Sequence, residues 1–156
     1  MTHSDELVDF ANKAILADLR VVQMDATSPN AGAPDNFEVK LDATSRVRDD
    51  LDELRVDYRI RGFVDVMDES KKLLLKMSST WGASFTFAEP PISTSDEVRN
   101  EFQAAVVIMS VYPYIRELAQ STCSRFGLPG VVIPMLKAGD LQGANLAPSD
   151  PAGSDA

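Results

Sequence analysis

Hydrophobic and polar residues alternate with a period of two along four successive stretches of the chain. These stretches cover residues 15–24, 37–44, 54–66 and 71–87. Such alternation predicts β-strands with one buried face and one wetter face. Because no helical stretch separates the second, third and fourth strands, the pattern favours an antiparallel meander over a βαβ fold.

A short helix is predicted before these strands and a long one after them. Ser4 is the expected N-cap of the first helix, over residues 4–13. Thr94 and Glu97 have the spacing of a capping box, and the residues from there to about Phe126 suit one long helix. Pro113 lies inside it and is expected to kink or break it near Tyr112. The predicted fold class is α+β, a four-stranded antiparallel sheet packed with a long Pro-kinked C-terminal helix.

One segment of the long helix is apolar on every side. Val106, Val107, Ile108 and Met109 follow one another there, whereas a helix packed on one sheet needs a single apolar stripe. We therefore predict that these four residues form an oligomer interface.

Three regions are expected along the chain. Residues 1–13 form an N-terminal helical segment and residues 14–141 form the main domain. Residues 142–156 are rich in Ala, Pro, Ser, Gly and Asp, and are predicted to be a disordered tail.

The charge of the chain limits the partners it can have. Its 156 residues include 15 basic and 24 acidic side chains, so the net charge is −9. A chain this acidic is not expected to bind nucleic acid or an anionic membrane generically. No apolar run approaches the roughly 20 residues that span a bilayer, and the first residues do not form a signal peptide. We expect a cytoplasmic protein.

Few residues are suited to catalysis or to metal binding. The sequence has one cysteine, Cys123, and one histidine, His3, so an internal disulfide and a Cys/His zinc site are excluded. It also lacks a phosphate-binding loop and a nucleophile motif. The acidic residues 49–53 lack the ligand spacing of a calcium loop. We predict no catalytic residue, no metal and no cofactor, and hence no enzyme.

Two groups of residues have more than one interpretation. Arg55, Arg59 and Arg61 share one strand face. They could bind an anion, or they could pair with acidic residues across the sheet: Asp42, Asp57 and Glu38. Trp81 and Phe85 are either core residues or the border of a binding groove.

Several segments resemble the SecB-like chaperone family. Val111–Leu118 (VYPYIREL) is similar to the F-P-Y-A-R-E segment of that family's main helix, and the SRFGLP segment at 124–129 is similar to its S-R-G-x-F-P. Val131–Pro134 resembles its L-x-L-x-P, Phe37–Asp42 its second strand, and Pro29–Ala31 its first loop. The order of these segments agrees over residues 14–141.

The resemblance implies an ATP-independent holdase for unfolded polypeptides. It implies a homotetramer, built as a dimer of dimers, with long apolar grooves on its surface. It also implies a client groove lined by the second strand and by the segment after the main helix. On this chain those positions are Phe37, Val39, Leu41, Ala43, Val131, Ile133, Met135 and Leu136.

The chain also departs from the export chaperone SecB. Gln23, Thr27 and Lys76 stand where that chaperone has acidic residues that dock the translocase motor SecA. This argues against SecA as a partner. Relatives that accompany toxin–antitoxin pairs have a Y-P-Y-I-R-E segment, which Tyr112–Glu117 matches. The resemblance thus leaves open a general or export holdase, a chaperone dedicated to an antitoxin, and a copy carried by a phage.

Two other classes of protein remain as alternatives. One is an oligomeric adaptor that binds one folded partner and has no holdase activity. The other is an enzyme of the hot-dog type, which also wraps a sheet around a long helix. Such an enzyme would need a catalytic carboxylate near the helix, and the candidates are Asp96, Glu97, Glu101 and Glu117.

Overall fold

Four long strands form one antiparallel sheet, and the helices pack against one of its faces. The computed structural model describes residues 2–50, 53–128 and 131–134. The elements are α1 (His3–Lys13), β1 (Ala14–Thr27), β2 (Asn36–Asp50), β3 (Glu53–Met67), β4 (Leu73–Phe87), α2 (Asp96–Phe102) and α3 (Ile108–Arg125), with a π-helical turn at Gln103–Val107 between α2 and α3. The predicted α+β fold is confirmed. Met135, Leu136 and the tail at 142–156 lie outside the described residues.

The strand order in the sheet is β1-β4-β3-β2, so β1 and β2 are its two edges. β2 is longer than predicted and runs to Asp50, because the alternation of side chains continues through Ser45, Arg46 and Val47. The β2–β3 pairing is regular from Asn36 opposite Met67 to Asp50 opposite Glu53.

Alternation along the two central strands places one set of side chains in the core. On β3 the buried residues are Val56, Tyr58, Ile60, Val64 and Val66, as the sequence predicts. On β4, Trp81, Phe85 and Phe87 are buried on the same face, which we call the helix face. Arg55, Arg59 and Arg61 lie on the opposite face, which we call the polar face.

The strict alternation expected for β1 is wrong. Its pairing with β4 shifts between Leu16 and Asp18 and again between Val21 and Gln23, which indicates two β-bulges. Each bulge moves the following residues by one position. As a result Ile15, which pairs with Thr86, lies on the polar face, whereas Leu19 and Val21, which follow the first bulge, pair with Ala83 and Trp81 on the helix face.

An aromatic cluster joins α1 and α2 to the sheet. The Phe10 ring lies 4.9 Å from Phe87 and 5.0 Å from Phe102 in edge-to-face contacts. Phe102 also lies 5.1 Å from Phe85, and Tyr58 5.7 Å from Phe85. Each such pair adds about 0.5–1.5 kcal/mol beyond the burial of its area. The cluster therefore fixes both helices on the helix face.

Both predicted N-caps are wrong by one or two residues. Thr2, not Ser4, caps α1, and it forms a capping box with Asp5. Ser95, not Thr94, caps α2 by accepting a hydrogen bond from the Val98 N–H at 3.3 Å. In each case a neighbouring hydroxyl residue has the extended backbone that an N-cap requires.

Of the predicted kink or break near Tyr112, the break is wrong, because α3 continues past Pro113 to Arg125; the kink stays a prediction. Proline removes the N–H that would bond to the Met109 carbonyl. Both Pro113 and Met109 are exposed, so that carbonyl faces solvent. The irregularity lies earlier, in the π-helical turn, where the Ile108 N–H bonds to the Gln103 carbonyl.

Helix α3 approaches the sheet closely above Gly62. The Ile115 side chain lies 3.1 Å from the point where a Cβ of Gly62 would stand. Gly62 pairs with Leu41 on β2 and with Ser79 on β4. The missing side chain therefore creates the space into which α3 inserts Ile115.

No helix among the described residues is long and apolar enough to cross a membrane.

Gln103, in the π-helical turn, is fully buried, and neither its amide oxygen nor its amide nitrogen has a hydrogen-bond partner among the described residues. An unsatisfied buried polar group costs about 1–3 kcal/mol. Gln103→Met, which keeps the volume, should therefore raise the free energy of unfolding by about 1–2 kcal/mol, measured by urea denaturation.

Gln120→Met is the matched control, because the Gln120 side-chain oxygen accepts a hydrogen bond from the Ile133 N–H at 3.0 Å. This variant should lower the free energy of unfolding. A destabilised Gln103→Met protein would contradict the expected gain.

Candidate client-binding and assembly surfaces

The chain reverses direction after α3 and packs back along the helix. Gly127 has a φ of +78°, and the Leu128 N–H bonds to the Cys123 carbonyl at 2.8 Å, which is a Schellman ending. Further on, the Tyr112 hydroxyl donates to the Pro134 carbonyl at 3.0 Å. We call residues 131–134 the return segment.

The described members of the predicted client groove all belong to the hydrophobic core or to its margin. Leu41, Ala43 and Ile133 are buried in the single chain, with Leu41 only 5% exposed. As they stand they are core residues, so a client cannot reach them without displacing other side chains. Phe37, Val39 and Val131 are half-buried at the margin of the same core. Met135 and Leu136 cannot be placed.

One exposed residue of this region is absent from the predicted groove. Val132, in the return segment, is 73% exposed and lies between two residues that pack inward, Val131 and Ile133. We call Phe37, Val39, Val131 and Val132 the client surface. The sequence VVIP at 131–134 has no polar residue, so no polarity pattern distinguishes Val132 from its neighbours.

The four residues of the predicted oligomer interface divide into two pairs. Val107 and Ile108 are buried against the chain itself, so they are not available to a partner. Val106 is half-buried, and Met109 is 38% exposed. Continuing along the outer side of the helix, Tyr114 is 49% exposed.

The outer side of α3 and the π-helical turn carries no charge over residues 102–115. Its exposed members are Ala105, Met109, Ser110, Pro113 and Tyr114, which we call the outer helix stripe. A helix that faces water on its outer side usually has charged residues there. The outer helix stripe therefore has the composition of a surface that is covered and not of one that faces water.

A second exposed apolar surface lies along β1. Leu16, Val21 and Met24 pair with helix-face residues of β4 and yet remain exposed. Val21 pairs with Trp81, whose ring lies 6.0 Å from Tyr114 of the outer helix stripe. The β1 side chains thus lie beside the stripe. Sequence reasoning placed no interface on β1, although successive apolar residues at Ile15–Ala17 and Val21–Val22 are unusual in a strand with one wet face.

The sequence left open whether Arg55, Arg59 and Arg61 pair across the sheet or bind an anion, and the structure distinguishes Arg61 from the other two. Arg61 pairs with Asp42, as predicted, and its guanidinium carbon lies 6.0 Å from the Phe63 ring. Arg55 and Arg59 make no ion pair with a described residue; they line a cavity of about 430 Å³ on this face. Trp81 and Phe85, the other ambiguous pair, are buried on the helix face.

The residues that replace the SecA-docking acids also lie on the polar face. Thr27 pairs with Lys76, and Gln23 pairs with Thr80. This end of the face carries an exposed lysine where the export chaperone is acidic. The expectation that SecA does not dock here stays a prediction.

Burial shifts the pKa of Cys123, and a close carboxylate shifts the pKa of His3. Burial raises the pKa of the Cys123 thiol, which favours its neutral form. The His3 Nε2 lies 2.6 Å from a Glu101 carboxylate oxygen, and this contact raises the pKa of His3. His3, Glu97 and Glu101 bring their side-chain atoms within 4.8 Å of one another, so they could hold a metal ion. The pairing of His3 with Glu101 also links α1 to α2.

The carboxylates that a hot-dog enzyme would use lie in water. Asp96, Glu97, Glu101 and Glu117 are all exposed. Asp96 forms an ion pair with Arg99, and Glu101 pairs with His3. A catalytic acid or base is typically tuned by burial and by neighbouring charges in a cleft. These four positions therefore give the enzyme alternative no support.

Comparison with known proteins identifies the fold. No protein-family model and no curated protein matches the chain. Among solved structures, the SecB-like chaperone Rv1957 of Mycobacterium tuberculosis, in complex with a ChAD peptide from the antitoxin HigA1, is similar with a TM-score of 0.69 and 19% identity over 85% of this chain and 97% of that one. A Streptococcus agalactiae protein of unknown function has a TM-score of 0.41 and 11% identity over 78% of this chain and 96% of that one. The predicted SecB-like fold is confirmed.

Proposed function

We propose that this protein is an ATP-independent holdase chaperone that binds unfolded or aggregation-prone polypeptides on apolar surfaces. The observation that carries the proposal is the likeness of its fold, over nearly the whole length of both chains, to a chaperone solved with a bound peptide. Fold alone does not specify function. The exposed apolar side chains of this chain give the proposal its second support.

The client surface has the properties that an extended polypeptide needs. β2 is an edge strand, so its outer backbone groups are available to pair with an added strand. Phe37 and Val39 lie on the helix face of that strand, and Val132 projects from the return segment. Backbone pairing gives affinity for many sequences, while the apolar side chains select segments that are themselves apolar.

We further propose that the outer helix stripe and the exposed residues of β1 contact a second copy of the chain. Assembly would cover Met109, Tyr114, Leu16, Val21 and Met24, and would remove the open edge of β1. A homotetramer, built as a dimer of dimers, is the assembly that we expect. It would leave the client surfaces at β2 free on each protomer.

The client class that we favour is an aggregation-prone antitoxin. The structurally similar chaperone is bound to an antitoxin peptide, and the Tyr112–Glu117 segment resembles the version found in toxin–antitoxin relatives. In the alternative, a general or export holdase, the same surface would bind many unfolded chains with similar affinity.

The test is suppression of aggregation of an unrelated protein diluted from denaturant, followed by light scattering with and without ATP. We expect suppression at stoichiometric chaperone and no effect of ATP. Calorimetry with the same client held unfolded should give a negative heat-capacity change, the mark of apolar burial. A protein that neither suppresses aggregation nor binds the unfolded client would be an adaptor for a folded partner, and the holdase proposal would fail.

A further inference from the structure

The polar face carries a concentrated positive surface on an acidic protein. The cavity of about 430 Å³ is lined by Arg20 on β1, Arg46 and Arg48 on β2, and Arg55 and Arg59 on β3. Two aspartates, Asp18 and Asp57, lie among them. The whole chain has a net charge of −9. We call these five arginines the arginine face.

Strand register explains why the arginines converge. Arg59 on β3 and Arg20 on β1 both pair with Gly82 on β4, one from each side. Gly82 has no side chain, and the Val22 side chain lies 3.4 Å from the point where its Cβ would stand, so glycine and valine form the floor between the two arginines. Arg46 and Arg48 alternate with inward residues on β2 and reach the same face. The cavity is therefore formed by rigid strands.

Three of the five arginines make no pair with any residue that the structure describes. Arg48 pairs with Asp57 at 3.1 Å, and Arg20 pairs with Asp18 at 3.5 Å. In the parts of the chain that the structure describes, Arg46, Arg55 and Arg59 have neither an ion pair nor a hydrogen bond from their side chains.

The arrangement also carries an electrostatic cost. Arg48 and Arg55 are directly opposite each other in the β2–β3 pairing, and like charges at such positions destabilise a sheet. The described aspartates of the cavity already pair with Arg48 and Arg20. A bound anion would relieve the repulsion.

We infer that the arginine face docks an acidic, extended segment of a partner protein, through carboxylates that bind the guanidinium groups of Arg46, Arg55 and Arg59. The planar guanidinium group binds a carboxylate through two parallel hydrogen bonds, which gives geometric selectivity as well as affinity. This site lies on the face of the sheet opposite the helices, whereas Phe37 and Val39 point to the helix face. Partner and client could therefore be bound together, a property that goes beyond the holdase proposal.

The observations favour an acidic peptide over a nucleic acid. A nucleic acid would extend past the cavity, and the protein, whose net charge is −9, would repel its phosphates there. The carboxylates of Asp18 and Asp57 lie inside the site and would repel a continuous row of phosphates. Carboxylates on alternate residues of a peptide can reach the free arginines and avoid both aspartates.

The experiment measures fluorescence anisotropy of a labelled peptide in which glutamate alternates with serine, with the full-length protein at low and at physiological salt. We expect binding that Arg46→Gln/Arg59→Gln weakens by about tenfold or more, because charge-assisted bonds to two arginines are lost. The control Lys40→Gln/Lys76→Gln removes two exposed charges from the same face, outside the cavity. It should change the affinity by less than about twofold.

Circular dichroism should show that both variants are folded, since Arg46 and Arg59 are exposed. The inference is overturned if the glutamate peptide does not bind, if its glutamine counterpart binds equally well, or if the lysine control loses as much affinity as the arginine variant. It is also overturned in favour of nucleic acid if a single-stranded oligonucleotide binds more tightly and depends on the same arginines. Suppression of client aggregation by Arg46→Gln/Arg59→Gln should be unchanged, which separates this inference from the holdase proposal.

Discussion

The Met109→Glu/Tyr114→Glu variant is expected to sediment as a monomer at concentrations where the unmodified protein is an oligomer. Both residues are exposed in the single chain and belong to the outer helix stripe. If that stripe contacts a second copy, each substitution buries an unpaired carboxylate, which costs several kcal/mol. A symmetric contact repeats the penalty on both protomers. Sedimentation velocity over a range of concentrations measures the change.

Ser121→Glu/Ser124→Glu is the matched control for this variant. Both serines are exposed on α3 beyond the outer helix stripe, so the control adds the same charge to the same helix. It should keep the oligomer. An unmodified protein that sediments as a monomer at micromolar concentration, or a control that dissociates like the variant, would contradict the proposed interface.

Most of the sheet could be predicted, because the alternation of polar and apolar residues is visible within each strand. Most residues of β3 show their face by their polarity, and the aromatic residues of β4 follow the same rule. The exceptions are Phe63, an apolar residue on the polar face, and Leu74, which is buried beside Leu75 where the β3–β4 pairing shifts. The long helix was equally clear from its capping sequence and its length, although the exact N-cap depended on backbone angles that sequence does not give.

The bulges of β1 could not be predicted, because a bulge is a property of the pairing and not of one strand. The apolar pairs Ile15–Leu16 and Val21–Val22 were visible in the sequence, but either register would bury one member of each pair. Only the pairing with Phe85 and Trp81 on β4 decides which member lies on the helix face. The π-helical turn and the buried amide of Gln103 likewise depend on how the helix packs.

The burial of the candidate surface residues could not be predicted from the sequence. The resemblance named residues of β2 and of the return segment, but it could not separate Leu41 and Ile133, which are buried, from Val132, which is exposed. That difference decides which substitutions test function. An aspartate at Leu41 or at Ile133 would enter the core and unfold the protein, so a loss of binding there would say nothing about clients.

The position of the arginine face, in contrast, depends on the strand order, which the sequence alone does not give. The alternation of Arg55, Arg59 and Arg61 was visible in the sequence, and pairing with acidic residues was the simpler interpretation. Among the described residues, the structure shows that pairing for Arg61 and not for Arg55 or Arg59. Arg20, Arg46 and Arg48 come from two other strands, and only the strand order β1-β4-β3-β2 brings them to one cavity.

The Val39→Asp/Val132→Asp variant is expected to bind an unfolded client about tenfold or more weakly than the unmodified protein, while it stays folded and assembled. A contact with one apolar side chain contributes about 1–3 kcal/mol, and about 1.4 kcal/mol corresponds to a tenfold change in Kd. Val132 is highly exposed, and Val39 is half-buried at an edge strand, where it packs against the margin of the core, so circular dichroism should show that the variant is folded. Calorimetry with the unfolded client measures the affinity.

The control for this last variant is Val8→Asp/Ile92→Asp, which also replaces two apolar side chains with carboxylates. Val8 and Ile92 are among the exposed apolar residues and lie on α1 and in the segment before α2, outside the client surface. The control should bind the client with the affinity of the unmodified protein. Equal affinity of both variants would place the client elsewhere. A loss shared by both variants would mean that added negative charge, and not the client surface, weakens binding.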